Sequence, residues 1–541
     1  MPSKPSTTAE AGASPWAPFR SRIFSVLWTA TVVSNIGTWM YAAAAGWQMT
    51  LLDPSPQMVA LVQAVSTLPI FLFALPAGAL ADIVDRRKLL LLTQTVLMVV
   101  VFLLAALTLF DLVTPLTLLA FTFATGLGAA LVAPAWQAIV PELVPRHDLQ
   151  AAVALNSVGI NVSRAIGPAL AGVMIATMGL ATPYFVDAVS FIGVIIALWW
   201  WRRETEEAEL PAERFVAAMR SGLRYARESE PLRATLIRAA AFFFFSSAYW
   251  ALLPLVAKGQ LGGGSVLYSL LLTCLGVGAV AGALGLPGLR RKIGADSLVM
   301  VGTLATAVAV GALALVPNVA VVAVTCLVLG AGWISVLSSL NVAAQVALPG
   351  WVKARGLSVY LIVFFGAMTL GSIVWGQVAA WLDVPTSLLI SGGGLVVALL
   401  AVQRWKLPAG GTLDLAPSMH WPAPVLAESH ERDRGPVMTT VEYVIDPRDT
   451  QKFLAAIHEL AGERRRNGAF VWGLFEDAEQ PGRYVEHFIE ESWLEHLRHH
   501  HRVTEADRVL QERVRRSHKG EPPPQVRHFL SAAKHPRKTP R

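Results

Sequence analysis

Arg164 is the residue whose type and position fit least well with an idle structural role. It lies in an apolar run at about 149–177, roughly 22 Å along a helix begun at Leu149 and rising 1.5 Å per residue. A charge at that depth costs at least about 2.5–3.5 kcal/mol on insertion. Either it faces a cavity or a partner, or its guanidinium satisfies carbonyls freed by Pro168. Gly167 and Pro168 permit close helix contact and a bend, through which the helix can gate. A second constellation is Gly78 to Lys88, GALADIVDRRK. There the Asp82 carboxylate can hold a facing helix N-terminus and a guanidinium such as Arg86 or Arg87, a contact made in only one of two arrangements. The plainer reading is a basic loop that sets topology. Asn35, Asn161, Asn341 and Gln345 are polar groups in or at the ends of apolar runs, either cavity residues or interhelical glue. Asp187, near the outer end of its run, is read as reaching interfacial water. His496 and His500 stand one helical turn apart beside His499 and His501. With no third ligand to place from spacing, a solvated helix face is expected and no metal. No cofactor is expected either, and the absence of a GxxxxGK[ST] loop argues against intrinsic ATP hydrolysis.

The chain that must position these residues is a membrane protein by composition. Its residues are 54% hydrophobic and 15% charged, and its mean hydropathy is +0.52. The isoelectric point near 9.5 comes from short basic clusters between apolar runs, so it indicates topology and not nucleic acid. Cys274 and Cys326 lie inside apolar runs and suggest no disulfide framework.

Gly78–Lys88 recurs as GALGLPGLRRK at Gly282–Lys292, with Leu286 and Leu289 in place of the acids. Gln137, Pro141 and Arg146 are echoed by Gln345, Pro349 and Arg355. Two copies imply two halves, the plan of secondary transporters. Spans are expected at about 23–47, 57–81, 89–110, 115–139, 149–177 and 183–201, then 234–257, 264–287, 297–316, 319–341, 355–381 and 386–404. The basic loops, among them Arg86–Lys88, Arg202–Arg203, Arg290–Lys292 and Lys353–Arg355, all fall on one side, and Lys258 stands alone on the other. Both termini are therefore expected in the cytoplasm. Trp199, Trp200 and Trp201 close the sixth span as an interfacial belt would.

The expected division is a disordered cytoplasmic tail (1–22), a six-helix bundle (23–201), a connector (202–232), a second six-helix bundle (233–405), a linker (406–436), an α+β domain (437–531) and a basic tail (532–541). In the connector, Phe215, Met219, Leu223 and Ala226 recur at helical spacing beside Arg214, Arg220, Arg224 and Arg227. This fits an amphipathic helix on the lipid surface as well as it fits a solvated linker. The last domain reads β-α-β-β-α-β, with strands at 437–445, 469–475, 484–490 and 525–530 and helices at 449–464 and 492–514. That order suggests a ferredoxin-like sandwich.

GALADIVDRRK resembles the loop signature between helices 2 and 3 of the major facilitator superfamily, with Asp85 where many members have Gly. SRAIGPALAG, Ser163–Gly172, resembles the antiporter signature of drug exporters, with Ser163 and Ala171 where Gly is usual. Together with PELVPRHDLQAAVALN, these stretches resemble the branch of enterobactin exporters, macrolide efflux pumps and transmembrane secretion effectors. The fourth span has no Arg, unlike many proton-coupled drug exporters, which leaves the coupling ion open. ESWLEHLRHHHRVTEAD in the tail resembles the dimeric α+β barrel of antibiotic-biosynthesis monooxygenases.

The expectation is an all-α protein of twelve transmembrane helices with a small ferredoxin-like, dimeric α+β barrel-like tail domain. It would lie in the plasma membrane and export a small organic molecule, such as a siderophore or macrolide, by alternating access. Its expected partners are that substrate, the bilayer, a coupling proton and a second copy bound through the tail. The alternatives are a membrane-anchored monooxygenase and a scaffold or sensor built on a transporter fold.

Overall fold

The computed structural model is described for residues 14, 16–201, 215–407, 414–416, 418, 434–519 and 523–532. Most of the expected N-terminal tail, Arg202, Arg203, Arg214 and the last nine residues lie outside the described residues, as do the side chains of Asp82, Arg146, Phe215, Met219 and His501.

Eleven helices among the described residues are long and apolar enough to cross a membrane. In order they are α1 (Arg22–Leu52), α2 (Pro56–Ile83), α3 (Arg86–Leu109), α4 (Pro115–Leu143), α5 (Leu149–Met178) and α6 (Thr182–Trp200), then, after a short connector helix α7 (Phe215–Glu228), α8 (Glu230–Leu255), α9 (Ser265–Leu315), α10 (Val319–Val346), α11 (Lys353–Trp381) and α12 (Val384–Val402). The 51-residue α9 breaks at Gly294, whose φ of 79° only glycine adopts easily. Helices suit this environment because each satisfies its own backbone polar groups in lipid. Caps set their starts. Ser21 Oγ accepts from Phe24 N, Thr114 Oγ1 from Thr117 N, and Asp383 Oδ1 from Thr386 N. Asp85, the residue that departs from the family loop, caps α3 by accepting from Lys88 N at 2.9 Å.

The chain divides into two compact units, one of residues 1–211, 236–340 and 360–405, the other of 212–235, 341–359 and 406–541. In the first unit, small residues set the approach of α5 to its neighbours. A Cβ on Gly167 would stand 2.5 Å from Trp39 Cβ, and one on Gly276 of α9 would stand 2.7 Å from Ala165 Cα. Neither position has room for a side chain, so α5 lies directly against both α1 and α9. Ser163, which replaces a usual glycine, donates its hydroxyl to the Val32 carbonyl at 3.1 Å. The halves also meet at α2 and α11, where the Thr67 and Thr369 hydroxyls share a hydrogen bond of 2.7 Å. Lys258, alone on its side of the topology, donates to the Thr50 carbonyl near the end of α1.

The second unit gives the connector helix a packed face. Leu223 is 65% exposed, whereas Ser221, Tyr225 and Ala226 are buried. The buried face is the one with small residues: a Cβ on Gly222 would lie 2.9 Å from Arg355 Cβ. Tyr225 donates its hydroxyl to the Ala347 carbonyl at 3.1 Å and stacks edge-on against Trp351. The connector helix thus packs on the turn between α10 and α11.

The tail runs β1 (Val437–Val444), α13 (Thr450–Asn467), β2 (Val471–Glu476), β3 (Arg483–Glu490), α14 (Trp493–Arg502), α15 (Glu505–Arg516) and β4 (Gln525–Leu530). Its sheet is antiparallel in the order β2-β3-β1-β4. The helix expected at 492–514 is two helices. The chain extends at Val503, and Thr504 with Asp507 forms a capping box that starts α15. Part of the linker is structured too, since Ala416 O and Asp414 O accept from the first amides of α15. One sheet face packs on helices around Phe453, Ile457 and Phe488. On the other, Val471, Phe475 and Phe529 are 38%, 63% and 44% exposed.

Candidate functional site

A cavity of about 460 Å³ opens among the six helices α1 to α6. Four polar atoms of its lining residues, Thr31 Oγ1, Gln94 Oε1, Trp136 Nε1 and Asp187 Oδ1, are buried and meet no hydrogen-bond partner among the described residues. Buried polar groups are ordinarily paired, so their convergence marks a place where a ligand or water completes the bonding. A larger groove of about 740 Å³ along α9 and α10, lined by residues such as Val301, Leu304, Val308 and Val324, is almost wholly apolar and suits lipid chains better than a polar ligand.

Asp187 corrects the sequence reading. It is 2% exposed and lines the cavity, so its carboxylate is buried among the helices and does not reach out to water at the end of α6. Its Oδ1 would lie 2.6 Å from a Cβ at Gly37, so only glycine on α1 leaves it room. Of the four cavity candidates, Asn35 lines this space. Asn161 donates back to the Ser157 carbonyl of its own helix. Asn341 and Gln345 bond each other at the exposed end of α10.

Arg164 sits over the Trp39 ring at 5.1 Å, and its Nε and Nη1 are buried with no partner among the described residues. Pro168 lies inside α5, which continues through it. Around Gly78 there is open space, with nothing within 4 Å of a Cβ there. Of the loop arginines, Arg86 donates to Glu142 on α4 at 3.0 Å. Arg87 caps the end of α6 through Leu198 O and Trp199 O, each at 2.7 Å. The second half uses other residues: the buried Arg238 on α8 pairs with Asp296, just past the break in α9, at 2.7 Å.

The sequence profile of the transmembrane secretion effector family matches residues 13–536. The chain belongs to that family. It is a multi-pass secondary transporter of the major facilitator superfamily, and the anchored-enzyme alternative is set aside. The staphyloferrin A transporter of Staphylococcus aureus is 27% identical over 262 residues, 48% of this chain and 65% of that protein. The enterobactin exporter EntS of Citrobacter koseri is 26% identical over 70% of this chain and 91% of its own. The multidrug efflux pump Tap of Mycolicibacterium fortuitum is 24% identical over 72% and 96%. Among solved structures, a POT family transporter in complex with a thioalcohol-conjugated peptide superposes with a TM-score of 0.60 at 14% identity, covering 70% of this chain and 95% of that one. A bacterial homolog of the human lysosomal transporter Spinster gives 0.56 at 14% identity, over 72% and 98%.

The transporter's tail holds a buried charge network that sequence reasoning missed. Where a solvated histidine run was expected, His496 and His499 are fully buried. Each donates Nδ1–H to Glu490, at 2.6 Å. Burial alone would raise the Glu490 carboxyl, but His499 and His496 hold it well below the usual range. Burial likewise opposes charge on His499, yet Glu490 and Glu463 raise it. Burial, with the neighbouring imidazoles, pushes His500 down to about 3 and His528 down to about 4, so both are neutral at pH 7. Beside them Glu486, fully buried, accepts from Arg464 Nε, Trp472 Nε1 and Tyr443 OH, each at 3.1 Å. Arg464 is also within 3.4 Å of Glu463, whose carboxyl is raised by burial but brought down to about 2 chiefly by Arg464 and His499. Arg464→Ala leaves the buried Glu486 without its cation and is expected to destabilise the tail by about 3–5 kcal/mol. Limited proteolysis of the purified transporter should then release membrane-protected fragments lacking residues beyond the linker. Parent-like resistance would refute this.

Proposed function

We propose that the transporter exports a small amphipathic organic molecule, of siderophore or macrolide type, across the plasma membrane by alternating access. The observation that carries this reading is the cavity in the first half, with its unpaired polar atoms and Asp187. Its volume fits part of such a molecule, and two of the relatives are named as an enterobactin exporter and a multidrug efflux pump. Counting α9 as two arms about Gly294 makes twelve spans, with the basic loops and both termini in the cytoplasm. Asp82, Arg86 and Arg87 act as a state-dependent latch at that face, and Gly167 with Pro168 lets α5 bend. Asp187 is the site through which a proton gradient drives the cycle. The test is accumulation of siderophores, macrolides and dyes in cells with and without the protein. Lower accumulation of at least one class supports the reading, and equal accumulation across the panel rejects it.

The tail, in this proposal, regulates the transporter and pairs two copies through its uncovered sheet face. Phe475, Phe529 and Val471 would otherwise leave an apolar surface to water, and a four-stranded sheet of this order resembles half of a dimeric barrel. The tail also packs on the connector helix: the Arg466 guanidinium lies 5.7 Å from the Tyr225 ring centre, and Arg502 lies 4.6 Å from that of Trp351. A chain ended after Lys406 is expected to export on the order of fivefold more slowly, a coupling at the low end of those between sites, and to run as a monomer in detergent. Unchanged rate and mass would remove the tail from both roles.

A further inference from the structure

His496 on α14 and His528 on β4 are 32 positions apart in sequence, yet their ring centres lie 4.7 Å apart. His500, one turn beyond His496, completes a group whose nitrogen ligand atoms all lie within 4.8 Å of one another. The register that pairs β4 with β1 sets His528 opposite the buried Thr439, on the sheet face that the helices cover. No spacing within α14 could supply that third imidazole.

We propose that His496, His500 and His528 bind a divalent transition-metal ion of the zinc type, with a fourth position open to water or an anionic ligand. Nitrogens bonded at about 2.0–2.1 Å to one tetrahedral zinc stand about 3.3 Å apart, and His496 Nε2 and His500 Nε2 are already 3.2 Å apart. A rotation of the third imidazole closes the remaining gap. The tautomer is set as well. Glu490 Oε2 accepts from His496 Nδ1 at 2.6 Å, which leaves the Nε2 lone pair pointing at the site. A carboxylate behind a ligating imidazole is the usual outer partner of zinc-bound histidine, fixing ring orientation and raising basicity. Glu490 is itself held by His499, so this outer layer is rigid before any ion arrives. Three imidazole ligands favour zinc, copper or nickel over the hard cations magnesium and calcium. Bound there, the ion joins edge strand β4 to α14, the helix whose Arg502 lies over Trp351.

The test uses the full-length transporter in detergent, purified without a polyhistidine tag, stripped with EDTA and titrated with zinc chloride. One zinc per chain is expected at micromolar free metal, and cobalt in its place should give the visible absorption of a tetrahedral nitrogen site. His528→Ala, on an edge strand, should weaken zinc binding at least about tenfold while leaving melting in EDTA unchanged. His500→Ala should do the same. If a variant melts early in EDTA, the cobalt spectrum of the unaltered chain decides. A parent that takes up no zinc, a cobalt spectrum matching the free aqueous ion, or parent-like zinc affinity in folded His528→Ala would each overturn the site.

Discussion

Alanine at Arg164 is expected to slow export by about 10–100-fold at equal membrane abundance. The guanidinium lies at the middle of α5, the helix wedged between α1 and α9, and two of its nitrogens are buried without partners among the described residues. A cation kept there at the cost of desolvation has its counterpart elsewhere in the cycle, as a substrate carboxylate or as carbonyls exposed when α5 bends. Hydrogen bonds to charged groups contribute about 1.5–3 kcal/mol, and each 1.4 kcal/mol is about a factor of ten, which sets the expected range. Arg164→Lys separates two roles. A planar fork that grips a carboxylate is not reproduced by a point charge, so lysine should recover little. Full recovery with lysine would mean that charge alone matters, and full activity with alanine would remove Arg164 from the mechanism.

Asp187→Asn is expected to abolish the stimulation of export by a pH gradient. Downhill movement of the same compound should stay within about tenfold, or 1.4 kcal/mol, of the parent. Asparagine keeps the shape that fits against Gly37 and the hydroxyls of the cavity, so packing is nearly preserved. What it loses is the ability to take up and release a proton at an atom with no competing donor among the described residues. Reconstituted vesicles with an imposed pH gradient give the measurement. Gradient-driven export equal to that of the parent would show that coupling runs through another group.

The helical spans were legible because length and apolarity alone determine them. Depth along a helix was legible as well, which is why Arg164 stood out. Facing was not. Asp187 was assigned to the interface by its position along α6, and only the packing of α1 against α6 shows that it points into the cavity. The same limit left the packed face of α7 unreadable, where close approach selects Ser221, Gly222 and Ala226. The break between α14 and α15 had a readable signal in Thr504 and Asp507, three positions apart. The histidine cluster had none, because its third member arrives through strand register.

The packing of α7, the α10–α11 turn and the tail into one unit carries a thermodynamic obligation. The first of these segments leads within two residues into α8, and the second joins two spans, so any movement of those spans and the tail's grip act on the same backbone. Suppose the outward and inward states differ by some factor in how tightly the tail holds these segments. Detaching the tail then shifts the balance between the states by that same factor, because free energy around a closed cycle sums to zero. A substrate that favours one state therefore alters tail docking as much as docking alters substrate affinity. Given such a difference, the tail is a place where the occupancy of the transport site can be read from outside the membrane.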